Sequence, residues 1–353
     1  MLLPASQIVA WGDNSYGQTN SPQIYNAVAV AGGDYDSVAL RQDGTLVAWG
    51  ADDAGQTEVP TNALPFVAIA AGAEHNLAIA ADGSLVGWGN DDAGQIDIPA
   101  GVSSVLSVAA GDAHSLALLS SGTVAAWGDD TYGQTNVPAR LFPGYYWGNT
   151  YSVINPYWIP VQAIAAGFNH SLALMGGTVY GWGENTFGQA SPPASLTNAV
   201  AIAAGYFHSV ALCSNGTVVA WGDNTFGQTN VPPGLTNVVA IAAGDFHTYA
   251  LLANGHIMGW GDNTFGQLNV PASAAPATAI ASGDYEGLAL VPILHLLYSQ
   301  LTAQGLVIQW HVPGNLQWAP TPAGPYTDLS SAAFIYTNTD MSAPAKFFRL
   351  GPK

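Results

Sequence analysis

VVAIAAGDFHTYALLANGHIMGWGDNTFGQLNVP, Val238 to Pro271, reads as a succession of short strands and tight turns. Its segments VVAIAAG, HTYALL, HIMGWG and LNVP have strand length and period-2 character. Gly and Asn punctuate them, and no stretch keeps a helical period. The pattern predicts a four-stranded antiparallel unit. Asn254-Gly255 lies between the second and third segments, where a tight hairpin needs positive φ; Asp43-Gly44, Asp82-Gly83 and Asn215-Gly216 hold the same place elsewhere in the chain.

Outward from this stretch the unit repeats. The Trp-Gly pair recurs at Trp11, Trp49, Trp88, Trp127, Trp182, Trp221 and Trp260, at intervals of 38, 39, 39, 55, 39 and 39 residues. Ala-Gly-x-x-His keeps the same beat at Ala71–His75, Ala110–His114, Ala166–His170, Ala204–His208 and Ala243–His247, with altered copies at Ala31–Asp36 and Ser282–Glu286. Seven four-stranded units of this length predict a β-propeller. The chain opens on the second half of a unit, from Gln7, and its last unit stops at Val291 after the first half. Pairing of the two ends completes a seventh blade and leaves no open edge strand. The expected fold is therefore all-β: a seven-bladed propeller of four-stranded antiparallel blades over residues 7–291, with a small β module over 292–353.

The units resemble those of the regulator of chromosome condensation superfamily, whose pattern of Ala-Gly-x-x-His, apolar strand, Gly turn, Trp-Gly and Gly-Gln recurs here in nearly every blade. The short unit and the Trp-Gly-Asp-x-x-x-Gly-Gln-Thr-x-Val-Pro ending, at Trp127–Pro138 and Trp221–Pro232, are most similar to the secreted bacterial β-lactamase inhibitory proteins of the propeller type. That resemblance implies a rigid protein-binding propeller with target-contacting aromatics just after Ala-Gly. Phe168, Tyr206, Phe207, Phe246 and Tyr285 match it, whereas Glu74 and Ala113 depart from it. The eukaryotic members have longer units, usually ending Gly-Gln-Leu-Gly, which only Gln267-Leu268 echoes. No inserted hairpin matches the element that the nuclear member uses on its small GTPase, so guanine-nucleotide exchange is not expected.

Composition narrows the partner. The chain has 353 residues, 49% of them apolar, enough for a large core, and 23 acids against five bases: Arg41, Arg140, Lys346, Arg349 and Lys353. A net charge of −18 argues against nucleic acid, whose phosphates need clustered Lys and Arg, and favours a basic partner. No uncharged stretch has the form of a membrane helix. The start lacks a complete signal peptide, so the expected extracytoplasmic location would require a processed or truncated N terminus. Cys213, the single cysteine, reads as a buried small residue.

In an antiparallel blade the turn between strands one and two shares a rim with the turn between strands three and four. Seventeen of the 23 acids fall in these two sets of turns, with no Lys or Arg among them. The variable pair after each Ala-Gly is the candidate partner-binding set: Asp34, Tyr35, Glu74, Asp112, Phe168, Asn169, Tyr206, Phe207, Asp245, Phe246, Asp284 and Tyr285. Aromatic anchors among acids suit a protein interface. The Asp-Asn-x-aromatic-Gly turns read instead as structural, because Asp and Asn satisfy local backbone groups. The repeated histidines read as structural too, since equivalent positions on separate sheets cannot converge on one metal ion. Neither a cofactor nor a metal is expected, and no nucleophile with a matching base points to an enzyme.

Two departures from the repeat remain. The 55-residue interval carries an aromatic insertion over about 139–160, on the opposite face, offering Tyr145, Tyr146, Trp147, Tyr151, Tyr157 and Trp158 as a second binding or docking loop. The tail is expected to dock near that loop. The expected function is that of a monomeric, non-enzymatic propeller engaging a partner protein, with a β-lactamase-like or other cell-envelope enzyme as the candidate target, through the acidic aromatic rim. A structural or adhesive surface module and a carbohydrate-binding propeller are the alternatives.

Overall fold

The computed structural model describes residues 6–61, 65–142 and 159–292, together with the strand backbone of the C-terminal region within 296–351. The second candidate loop, Tyr145 to Trp158, lies outside the described residues. Contacts divide the chain into two compact units, Ile8–Val291 and a second made of Met1–Gln7 with Pro292–Lys353.

The larger unit holds seven antiparallel sheets, each of three strands. Numbered in chain order from inner to outer strand, blade 1 is Ala27–Gly32, Asp36–Arg41 and Leu46–Gly50; blade 2 is Phe66–Ala71, His75–Ala80 and Leu85–Gly89; blade 3 is Val105–Ala110, His114–Leu119 and Val124–Gly128. Blade 4 is Ala163–Ala166, His170–Met175 and Thr178–Gly183; blade 5 is Ala199–Ala204, His208–Cys213 and Val218–Gly222; blade 6 is Val238–Ala243, His247–Leu252 and Ile257–Gly261. Blade 7 takes Ala279–Ser282 and Glu286–Pro292 from the end of the unit and Ser6–Gly12 from its start. The ring closes across the termini as the half-units at each end require.

The expected fourth strand does not form. In blade 3 it would be Thr135–Pro138, but Asn136 N–H donates to Gly133 O, Val137 N–H donates to Thr135 O, and Pro138 has no N–H. The same local bonds join Val59 to Thr57, Ile98 to Ile96 and Val231 to Thr229. With its donors satisfied inside the turn, the segment has none left for a ladder. Its apolar side chain still packs against the adjacent core, as Val59, Ile98, Val137, Val231 and Val270 do.

Each blade interface has its own apolar cluster. In blade 2, Leu77 and Ile79 face blade 3 and pack with Val105, Ala117 and Trp127, while Ala78 and Ala80 face blade 1 and meet Val38, Leu40 and Leu46. The middle-strand phrase His-x-Leu-Ala-Leu thus presents large residues to the next blade and small ones to the previous blade, and the sheets interlock. Every repeat tryptophan donates its indole N–H to the carbonyl of the Gly-Gln glutamine one blade earlier, as in Trp127 to Gln95 (2.9 Å), Trp221 to Gln189 (2.8 Å) and, across the seam, Trp11 to Gln267 (2.8 Å).

In the second unit Leu296–Thr302, Gly305–Trp310 and Ile335–Asn338 form one three-stranded sheet, and Asn315–Ala319, Thr327–Asp328 and Phe347–Gly351 form another. No helix among the described residues is long and apolar enough to cross a membrane.

Candidate functional site

The rim is built on a ring of glycines. Gly33, Gly72, Gly111, Gly167, Gly205, Gly244 and Gly283 each pack the Cα against the carbonyl oxygen of the corresponding glycine in the next blade, ending with Gly283 against Gly33. A Cβ at any of them would overlap that oxygen, which is why the Ala-Gly of the turn keeps its glycine. Just above, a cycle of backbone bonds closes the ring: Asp34 N–H to Ala73 O, Ala73 to Gly111, Asp112 to Phe168, Phe168 to Gly205, Tyr206 to Asp245, Asp245 to Asp284 and Asp284 to Gly33, at 3.2–3.4 Å.

Beneath the turns the histidines serve as inter-blade ties. His75, His114, His170, His208 and His247 each place Nε2 within 2.8–3.0 Å of the hydroxyl of Ser115, Ser171, Ser209, Thr248 and Ser282 in the following blade. Burial pushes them down to about 3 or 4, so they are neutral near pH 7. Among the described residues no group of three or more His, Cys, Asp or Glu is arranged to hold a metal.

Two acids counted with the rim turn out to lie below it. Asp36 and Glu286 occupy the histidine position in blades 1 and 7 and are fully buried. Asp36 accepts a bond from Asn76 Nδ2 at 3.0 Å, and burial pushes its carboxyl up to about 7. Glu286, held well above the usual carboxylate range by burial and then by Asp36 beside it, has no side-chain hydrogen-bond partner.

The pair after each glycine divides in two. The first residue faces the axis, so Asp34, Ala73, Asp112, Phe168, Tyr206, Asp245 and Asp284 surround a central mouth of about 190 Å³ shared by all seven blades. Asp284 lines the mouth beside Asp34 and Asp245, and the repulsion among the three carboxyl groups favours a retained proton. Burial pushes Asp34 up to about 7 and Asp245 up to about 6, and raises Asp284 well above the usual carboxylate range with help from its two neighbours. Asp112 is likewise pushed up to about 6 by burial, then by Asp34 and Glu74.

The second residue of the pair faces outward, toward the aromatic of the preceding blade's outer turn. Tyr16 contacts Tyr35, Phe187 contacts Phe207, Phe226 contacts Phe246, and Phe265 contacts Tyr285, with centroids 4.7–5.1 Å apart. The outer members are about half exposed. Phe168 stacks on Tyr206 at 3.7 Å and Tyr206 on Phe246 at 5.5 Å, extending this arc to the mouth. Asn169 is buried beside Gln134 and Glu184 and belongs to the support of the turn. On blades 2 and 3 the pairing lapses: Ala54 stands opposite Glu74, and Ala93 opposite Ala113. Shallow acidic clefts occupy that gap, one lined by Asp34, Glu74, Asp92 and Asp112.

The outer turns are self-contained. Asp223 Oδ1 accepts from Thr225 N–H and hydroxyl, Asp223 Oδ2 accepts from Gln228 Nε2, and Gln228 Oε1 accepts from Phe226 N–H. Asp13, Asp129 and Asp262 repeat the arrangement. These acids hold loops, and the aromatic they present is the surface they build.

Residue pattern and ring closure define a seven-bladed propeller of the RCC1 type. Five stretches, 66–95, 105–134, 161–189, 199–228 and 238–267, match the regulator of chromosome condensation (RCC1) repeat. Protein pim1 of Schizosaccharomyces pombe is 46% identical over 41 residues, which are 12% of this chain and 8% of that protein, so the matched part is a small share of the relative. Among solved structures, Prp20p from Saccharomyces cerevisiae has a TM-score of 0.67 at 18% identity, covering 82% of this chain and 92% of that one. Human WBSCR16 follows at 0.64 and 19%, covering 81% and 99%. The ectodomain of the Physcomitrella patens receptor kinase CR4 gives 0.57 and 26%, covering 72% and 68%.

Proposed function

We propose that the propeller is a rigid, non-enzymatic protein-binding module whose rim engages a basic partner, with a β-lactamase-like or other cell-envelope enzyme as the target and an extracytoplasmic setting. The observation that carries this reading is the aromatic surface of the rim, a ring-to-ring cluster on blades 4 to 6 followed by the separate pairs Phe265–Tyr285 and Tyr16–Tyr35, set beside carboxylates with no Lys or Arg among them. Half-exposed aromatics held by their neighbours lose little side-chain freedom on binding, which suits them as anchors. The acids would steer a cationic partner and set the orientation of docking. Inhibition would be occlusion by a preformed surface. Protein binding is consistent with the RCC1-type neighbours, for Prp20p is described with binding properties toward Gsp1p and histones, and with Kap60 bound to it.

The test is affinity capture from the source organism's secreted fraction with the full chain, comparing wild type with a Tyr206→Ala, Phe207→Ala, Phe246→Ala variant. The variant is expected to lose its partner, and wild-type capture to weaken at high salt. Retention of every partner by the variant would reject this rim as the binding surface.

A further inference from the structure

The central mouth combines three observations that no requirement of the propeller fold explains. Asp34, Asp245 and Asp284 are gathered on one side of the mouth although like charges repel, so that the cluster favours keeping a proton. The opposite wall of the same mouth is aromatic, with Phe168 stacked on Tyr206. Below the floor, Glu286 is fully buried with both carboxyl oxygens free of side-chain partners, and one of them lies against Gly32 and Gly283, which line the mouth. Asp36 Oδ1 is unpartnered in the same way against Gly33.

We propose that the mouth is a receptor for one basic side chain of the partner protein, an arginine guanidinium for preference, which enters along the axis between the carboxylates of blades 1, 6 and 7 and the aromatic pair of blades 4 and 5. The inference rests on the protein-binding reading of the rim and specifies what the partner must present. A planar cation satisfies both walls: its N–H groups donate to the carboxylates, and its face lies against the rings. An ammonium can meet the acids but not the flat aromatic wall as well.

Entry of the cation should displace the proton that the carboxyl cluster favours. The titratable groups lining the mouth are Asp34 from blade 1, Asp112 from blade 3, Tyr206 from blade 5, Asp245 from blade 6 and Asp284 from blade 7, with Tyr35, Glu74 and Tyr285 outside them and Asp36 and Glu286 below. None is a Lys or Arg. The tyrosines are raised by burial and remain neutral, so Asp34, Asp112 and Asp245 are the lining groups that respond between pH 5 and 8. Protonated carboxyls attract a cation less, so binding strengthens as pH rises through this range.

The experiment titrates N-acetyl-arginine amide into the full chain by calorimetry and ligand-observed NMR, with the neutral isostere N-acetyl-citrulline amide and calcium chloride as comparison probes. Expected are weak, saturable arginine binding at pH 8, release of protons detected in buffers of different ionisation enthalpy, and affinity reduced about tenfold or more at pH 5. Citrulline amide should bind at least about tenfold more weakly. An Asp34→Asn, Asp245→Asn, Asp284→Asn variant should lose the binding while its thermal midpoint shows that it folds; should it not fold, the wild-type pH and proton-release data decide. Equal binding of the arginine and citrulline probes, absence of proton release, or displacement of arginine by calcium would overturn the proposal. If the asparagine variant still captures the partner while the aromatic variant does not, the rim reading stands and the receptor fails.

Discussion

At the scale of single residues, the repeat is most informative where it lapses. Five blades keep a neutral buried histidine tied to a hydroxyl; blades 1 and 7 replace it with Asp36 and Glu286. Such a replacement carries a pH signature. The folded-state carboxyl of Asp36 titrates near 7, above its unfolded value of 3.8, so its contribution to stability is complete below 3.8 and lost as pH rises toward 7. Asp36→Asn keeps an oxygen for Asn76 Nδ2 and removes the titration. It should raise the thermal midpoint by on the order of 5 °C at pH 8 and by little at pH 4, as calorimetry at the two pH values would show. The histidines act in the opposite sense. Their lowered values mean that stability is lost as pH falls below 6.5, fully so only once pH has passed their folded values near 3 to 4.

At the scale of elements, the inner, middle and outer strands and their turns could be read directly, because period-2 apolar runs bounded by Gly and Asn have one structural outcome. The fourth segment could not, because Thr-x-Val-Pro has strand composition while its hydrogen bonds are decided by a local turn that composition does not show. The candidate pairs after Ala-Gly were visible through their variability, yet their separation into an axial and an outward set depends on the glycine ring, which only coordinates reveal. The burial of Asn169, and of Asp36 and Glu286, was hidden for the same reason. The ring itself is testable. Gly205→Ala would drive a methyl into Gly244 O and against the His208 ring, and should destabilise the fold by about 2–3 kcal/mol in urea unfolding, where an Ala change at the open Gly188 position would not meet any neighbouring atom. Gly188 has positive φ, so its own smaller penalty is conformational and makes it the appropriate control.

At the scale of the whole propeller, seven apolar interfaces and one cycle of turn bonds make the blades mutually dependent. Blade 7 depends on both ends of the unit, and Trp11 carries the indole bond that ties it to blade 6. Removing residues 6–12 would therefore strip the outer strand from blade 7 and uncover its core with Ala289 and Val291. The truncated chain should lose its cooperative thermal transition or shift it down by roughly 10 °C or more, measured by circular dichroism.

The same seam sets an order in time. Ser6–Gly12 is the first strand of the propeller to be synthesised, but its partner, Glu286–Pro292, is nearly the last. Throughout translation of the intervening blades Trp11 waits without its glutamine carbonyl, and the acids of blade 1 wait without those of blade 7. The central mouth can therefore assemble only when synthesis of the ring is complete, so a chain released before blade 7 presents an open rim and no closed mouth to a partner.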